Sequence, residues 1–190
     1  MKQRTLLIIF LGLILTGVAV YGVISQGYFP ALFVNGEMIT EREYEKNILA
    51  VVSYYEAAGK TYQGIDVQAV LQNKDEVKKL ALDQLIENDL ISQGLKARLG
   101  GSMEAVVQNK LSDVQQNQNF SKAASTIYGV SFNDFTNLFL RPVAERELLD
   151  GKLLLEKSDV DTWLKNAKLQ AHVTMLLPGF SWNGVEVNKN

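Results

Sequence analysis

Phe33-Val34-Asn35-Gly36-Glu37-Met38-Ile39-Thr40-Glu41-Arg42-Glu43 reads as strand, two-residue turn, strand and capped helix start. Asn-Gly between short apolar stretches is a strong hairpin signal, because both central residues of a type I′ turn take positive φ. Thr40 with Glu43 three residues later forms a capping box, in which side chains at the two positions satisfy each other's free backbone N–H groups. Glu41, Glu43 and Glu45 favour the positive end of the helix dipole at that point. A two-stranded hairpin is too small to stand alone. The stretch therefore needs a further strand from elsewhere in the chain.

Toward the N-terminus, Thr5 to Ile24 is an uncharged run of 20 residues. At about 1.5 Å per residue, a helix of that length reaches about 30 Å, the hydrocarbon thickness of a bilayer. Lys2 and Arg4 precede the run, and the first acidic residue is Glu37. The positive-inside rule then places the N-terminus in the cytoplasm and the chain beyond Ser25 outside it. The run exceeds the apolar region of a signal peptide, and Val18-Ala19-Val20-Tyr21-Gly22 is a poor cleavage site. Residues 5–24 are accordingly read as an uncleaved, single-pass membrane anchor. Gln26 to Pro30 follows as a juxtamembrane link, with Tyr21, Tyr28 and Phe29 where interfacial aromatics sit.

All 21 acidic residues and all but two of the 19 basic residues lie beyond residue 25, giving that part a formal charge of −4. It has no long basic block, so nucleic acid is not an expected partner. The chain has no cysteine, which excludes disulfides, thiol catalysis and cysteine-based zinc sites.

Toward the C-terminus the pattern is helical. Tyr44, Ile48, Val51, Val52 and Tyr55 form one apolar face, and Gly59 is expected to end that helix. A short helix is expected at Asp66 to Leu71. Asp75 to Leu99 is apolar over more than one stripe, which predicts a central helix with partners on two sides. Gly100-Gly101 stops it, and Ser102 is expected to cap the next helix, Met103 to Gln118. Another short helix is expected at Phe120 to Ile127. Ser131 with Asp134 repeats the capping-box logic, and Pro142 should kink the following helix near Leu138 to Arg141. Ser158-Asp159-Val160-Asp161 starts a last helix. Ala171 to Leu177 reads as a strand, and we expect it beside Phe33 to Ile39 as the missing third strand.

In this order the segments resemble the N-terminal chaperone domain of the SurA, PpiD and PrsA foldases. The residues that carry the resemblance are Val34 to Thr40 with Glu41-Arg42-Glu43-Tyr44, then Leu82-Asp83-Gln84-Leu85-Ile86-Glu87-Asn88-Asp89-Leu90-Ile91 and Leu99-Gly100. Tyr128-Gly129-Val130-Ser131-Phe132-Asn133-Asp134-Phe135 and the kinked helix through Arg141 to Leu153 complete it. The resemblance implies a mainly α fold with a small β element, and a domain that cradles unfolded or nascent exported polypeptides. The expected organisation is a stub and anchor at 1–25, a link at 26–32, the chaperone domain at 33–155 and a closing helix and strand at 156–190. The foldases commonly add a parvulin prolyl-isomerase domain with paired histidines. Here only 35 residues follow Leu155, and His172 is the one histidine, so isomerase activity is not expected.

No catalytic, metal or cofactor residues stand out. General acid–base work needs a second positioned group beside His172, and none is marked. Asp159 and Asp161 read as helix capping rather than as a cation site, which needs several converging oxygens. Gly100-Gly101-Ser102 lacks the Lys-Ser/Thr ending of a phosphate loop. Aromatic and methionine side chains suit promiscuous apolar binding. Tyr54, Tyr55, Met103 and Phe139 are the candidate client-binding residues, with Tyr54 and Met103 the least core-like. The expected function is that of a membrane-tethered, extracytoplasmic holdase. The alternative is a structural or adaptor protein docked to one envelope partner.

Overall fold

The structure, a computed structural model, describes residues 10–17, 22, 27–61, 71–115, 120, 122, 124–125, 128 and 130–190. Strand β1 (Pro30–Val34) and strand β2 (Glu37–Thr40) form the expected antiparallel hairpin, pairing Phe33 with Met38 and Val34 with Glu37. Its turn residues take the left-handed conformation, with φ of 53° at Asn35 and 87° at Gly36, as a type I′ turn requires. The capping box is formed: Thr40 N donates to Glu43 Oε2 at 2.8 Å and Glu43 N to Thr40 Oγ1 at 3.3 Å.

Helix α1 (Glu41–Thr61) then runs past Gly59. The expected stop there is corrected, because glycine weakens a helix interior by about 1 kcal/mol without ending it. Helix α2 (Lys74–Leu99) is capped by Asn73, which accepts from Glu76 N, and is closed by Gly100 at φ 56°. It is the central element. Ala81, Leu82, Ile86 and Leu95 are fully enclosed, and α2 lies against α1 and three elements from the C-terminal half of the chain. Gly100–Ser102 forms a 3₁₀ turn into α3 (Met103–Gln115). Ser102 belongs to that turn, and its hydroxyl donates to Leu99 O at 2.7 Å. It does not act as the expected cap.

Helix α4 (Phe132–Phe135), capped by Ser131, passes through a π-helical turn at Thr136–Leu140 into α5 (Arg141–Leu155). The cause is Pro142, which has no N–H to offer the Leu138 carbonyl and crowds it with its ring. The chain widens instead, and the Arg141 N–H reaches back to Thr136 O. Helix α6 (Val160–Gln170), capped by Asp159, lies against α2. A Cβ on Gly94 would fall 2.4 Å from the Trp163 ring, so this helix pair depends on the absent side chain.

The C-terminal strand closes the sheet as expected, in the order β2-β1-β3. Strand β3 (Val173–Met175) is shorter than the stretch read from the sequence and pairs antiparallel with β1, Leu32 opposite Met175 and Val34 opposite Val173. The Asn35 turn also grips the tail: Asn35 N donates to His172 O and His172 N to Asn35 Oδ1, both at 2.9 Å. Gln93 of α2 donates to Val34 O at 3.0 Å. A second hairpin, β4 (Phe180–Trp182) with β5 (Val187–Lys189), was not anticipated. Val187 N donates to Asp83 Oδ1 at 2.7 Å and its side chain is fully buried.

Residues 10–17 are helical, and Phe10, Leu11, Leu13, Ile14 and Leu15 stand exposed. No helix among the described residues is long and apolar enough to cross a membrane. Residues 5–9, 18–21 and 23–24 of the apolar run, residues 66–70 and 116–118, and 121, 123, 126 and 127 lie outside the described residues.

Candidate functional site

Two clefts flank α1 where it meets α2 and the π-helical turn. The first is aromatic, about 420 Å³, and lined by Ala50, Val51, Tyr54, Tyr55, Leu80 and Phe139, with Asp83, Gln84 and Glu87 at its polar side. Tyr54 is 52% exposed. It meets the Tyr55 ring edge-on, with centroids 5.6 Å apart, a favourable geometry for two rings. Phe139 is held from behind by Tyr128 and Phe135, at centroid distances of 4.8 and 5.3 Å. The ring is thus supported on one side and turned to the cleft on the other. Both carboxylates are engaged. Asp83 accepts from Val187 N, and Glu87 pairs with Lys168. Burial pushes the Asp83 carboxyl up, with Val187 N–H and Lys168 opposing it.

The second cleft is polar, about 470 Å³, and takes Glu43, Lys46 and Asn47 from α1, Asn88, Asp89 and Ser92 from α2, and Asn137, Arg141 and Glu145 from the far wall. Lys46, Asp134, Arg141 and Glu145 are held in ion pairs, Glu43 serves the Thr40 capping box and Asp89 accepts from Gln93. Lys46 pairs with Asp134. Arg141 donates to Glu145 at 2.7 Å and forks onto Glu104 at 2.6 and 3.1 Å. Arg141 beside Glu104, helped by Gln108, holds the Glu104 carboxyl at about 2. Glu145 is only 4% exposed. Asp89 is pushed up to about 6 by burial, with Glu37 and Glu43 adding to the effect and the hydrogen bond from Gln93 opposing it.

Of the four residues nominated from the sequence, Tyr54, Tyr55 and Phe139 meet in the aromatic cleft. Met103 does not. It is 8% exposed and belongs to the core. Its reading as one of the least core-like residues is corrected: the first turn of α3 is covered, so the side chain faces inward. Leu80, Ala50 and Val51 complete the cleft; the sequence reads Val51 as part of the first helix's apolar face and Leu80 as part of the central helix's apolar stripes, and does not single out Ala50. Their apolar character carried no signal of an open side, because that depends on the wide turn at 136–140. His172 is exposed, and its backbone serves the Asn35 turn. Among the described residues no group of three or more His, Asp or Glu side chains is placed to hold a metal ion.

The structure is thus a helical body, entered by a hairpin, closed by the chain's own C-terminal strand and carrying an aromatic cleft between its first two long helices. The chain belongs to the SurA-like N-terminal domain family, which it matches over residues 1–129. That family is the non-catalytic chaperone part of foldases, and it gives this chain a chaperone-like or foldase-associated role. The matched residues include the apolar N-terminal run and the α1 and α2 walls of the aromatic cleft; Phe139 lies beyond them. No curated protein and no solved structure matches the chain.

Proposed function

We propose that the protein is a membrane-anchored, extracytoplasmic holdase that binds apolar segments of unfolded or nascent exported polypeptides in the aromatic cleft, without isomerase chemistry. The observation that carries this reading is the convergence of Tyr54, Tyr55 and Phe139, from two distant segments, on one accessible cleft in a SurA-like domain. Tyrosine and phenylalanine offer large contact area at low entropic cost and no fixed hydrogen-bond pattern, which suits clients of varied sequence. The anchor is supported by the 20-residue uncharged run and by the exposed apolar side chains at 10–15. Tethering would raise the effective concentration of the cleft near emerging chains.

The test is suppression of aggregation by the full chain in nanodiscs, using a chemically unfolded client. The expected result is dose-dependent suppression that Tyr54→Ala weakens. No suppression, together with recovery of a single stoichiometric partner from the envelope, would replace the holdase with the adaptor reading.

A further inference from the structure

The link between the apolar run and β1 is folded onto the domain. Glu41 N donates to Phe29 O at 2.8 Å, and Arg42 N donates to Gly27 O at 2.9 Å. These are two of the N–H groups that a helix start leaves without intrahelical partners, and the link supplies their acceptors. Arg42 Nη1 donates to the Tyr28 hydroxyl at 2.9 Å, and its guanidinium lies 5.5 Å from the centroid of that ring. Gly27 takes φ +69°, and a Cβ there would lie 3.1 Å from Arg42 Cβ. Conformation and space both call for glycine.

Despite these contacts, Tyr28 and Phe29 remain 47% and 52% exposed. Gly27 is the third residue past Ile24, so it lies at most about 11 Å along the chain from the end of the apolar run. That distance falls within or beside the headgroup layer, where aromatic side chains are favoured. Glu41, Glu43 and Glu45 outnumber Arg42 and Lys46 in the first two turns of α1, a net negative charge that disfavours anionic headgroups.

Resting on the anchor reading above, we propose that Gly27–Phe29 and the first turn of α1 form a rigid collar that seats on the bilayer interface. Tyr28 and Phe29 enter a zwitterionic headgroup layer. The hairpin end of the domain faces lipid, and the aromatic cleft is held at a fixed position about 18 Å further along α1. The link is a mount rather than a loose tether.

The experiment uses the full chain in phosphatidylcholine vesicles. Phe29→Trp in a Trp163→Phe, Trp182→Phe background is read by quenching with lipids brominated just below the headgroup. A second measurement leaves both native tryptophans in place: the rate at which chymotrypsin cuts after Tyr28 and releases the domain, the Phe29–Pro30 bond being resistant. The collar predicts strong quenching of the tryptophan at position 29. It also predicts slow release, about three- to tenfold slower than in Gly27→Val or Arg42→Ala, as expected for the loss of one hydrogen bond. Vesicle-bound chain with an unquenched tryptophan, or equal release rates, would overturn the collar and leave the anchor standing. Chain that does not float with the vesicles would overturn both.

Discussion

The aromatic and polar clefts lie on either side of one crossing of α1, α2 and the π-helical turn, and they differ in what their side chains are free to do. In the polar cleft Lys46 pairs with Asp134 and Arg141 with Glu145 and with Glu104 outside the cleft, while Glu43 and Asp89 accept from Thr40 and Gln93. A ligand would have to break those pairs. In the aromatic cleft the rings are supported from behind and open in front. A ligand that lies on the rings displaces water from apolar surface, which is favourable. The difference teaches that the larger opening is structural and the smaller one is the candidate site.

Mutations should separate the two. The largest effect belongs to the polar side. Arg141→Ala leaves Glu145 buried without its partner, which should cost about 3 kcal/mol of stability in urea unfolding; a loss below about 1 kcal/mol would break the structural reading of that cleft. Met103→Ala opens a core cavity and should cost about 2–3 kcal/mol, with client affinity unchanged once the protein is folded.

Asp89→Asn tests the polar cleft by pH. The folded carboxyl titrates at about 6, above its unfolded value, so the folded state binds an extra proton between about pH 4 and 6. Stability is therefore lost as pH rises through that window, and the penalty is complete above it. The variant should gain about 1 kcal/mol at pH 8 and nothing at pH 4, the figure being reduced because the group is partly solvated. Asp75, Glu104, Asp134, Glu156 and Asp159 are shifted the other way by their partners, so their contributions fade only at lower pH. The smallest expected effect is the most informative about function. Tyr54→Ala should shift the urea midpoint very little, since the ring is half exposed, yet weaken peptide binding about fivefold, equivalent to about 1 kcal/mol.

The hairpin, the Thr40–Glu43 capping box, the Ser131 cap and the closing strand were legible because each rests on local chemistry: Asn35-Gly36 dictates a turn, Thr40 and Glu43 a cap, and an isolated hairpin needs a partner. Pro142 signalled a kink for the same reason, although the sequence did not show that the chain would absorb it as a wide turn at Thr136–Leu140. The β4–β5 hairpin was not legible. Its strands are three residues each, too short to show alternation, and its turn depends on Asn183 accepting from Val185 N and Glu186 N. Tyr54, beside the main stripe of α1, was correctly read as off the core. Met103 was not, because sequence spacing does not reveal that α5 covers the start of α3. The meeting of Phe139 with Tyr54 and Tyr55 depends on tertiary placement and could only be nominated residue by residue.

Photo-crosslinking tests the central claim most directly. Benzoylphenylalanine is placed at position 54 in the aromatic cleft or at position 92 in the polar one, in full-length protein in nanodiscs presented with an unfolded exported polypeptide. The account predicts client adducts from position 54 and few from position 92. Adducts from position 92 alone, or equal yields from both, would contradict it.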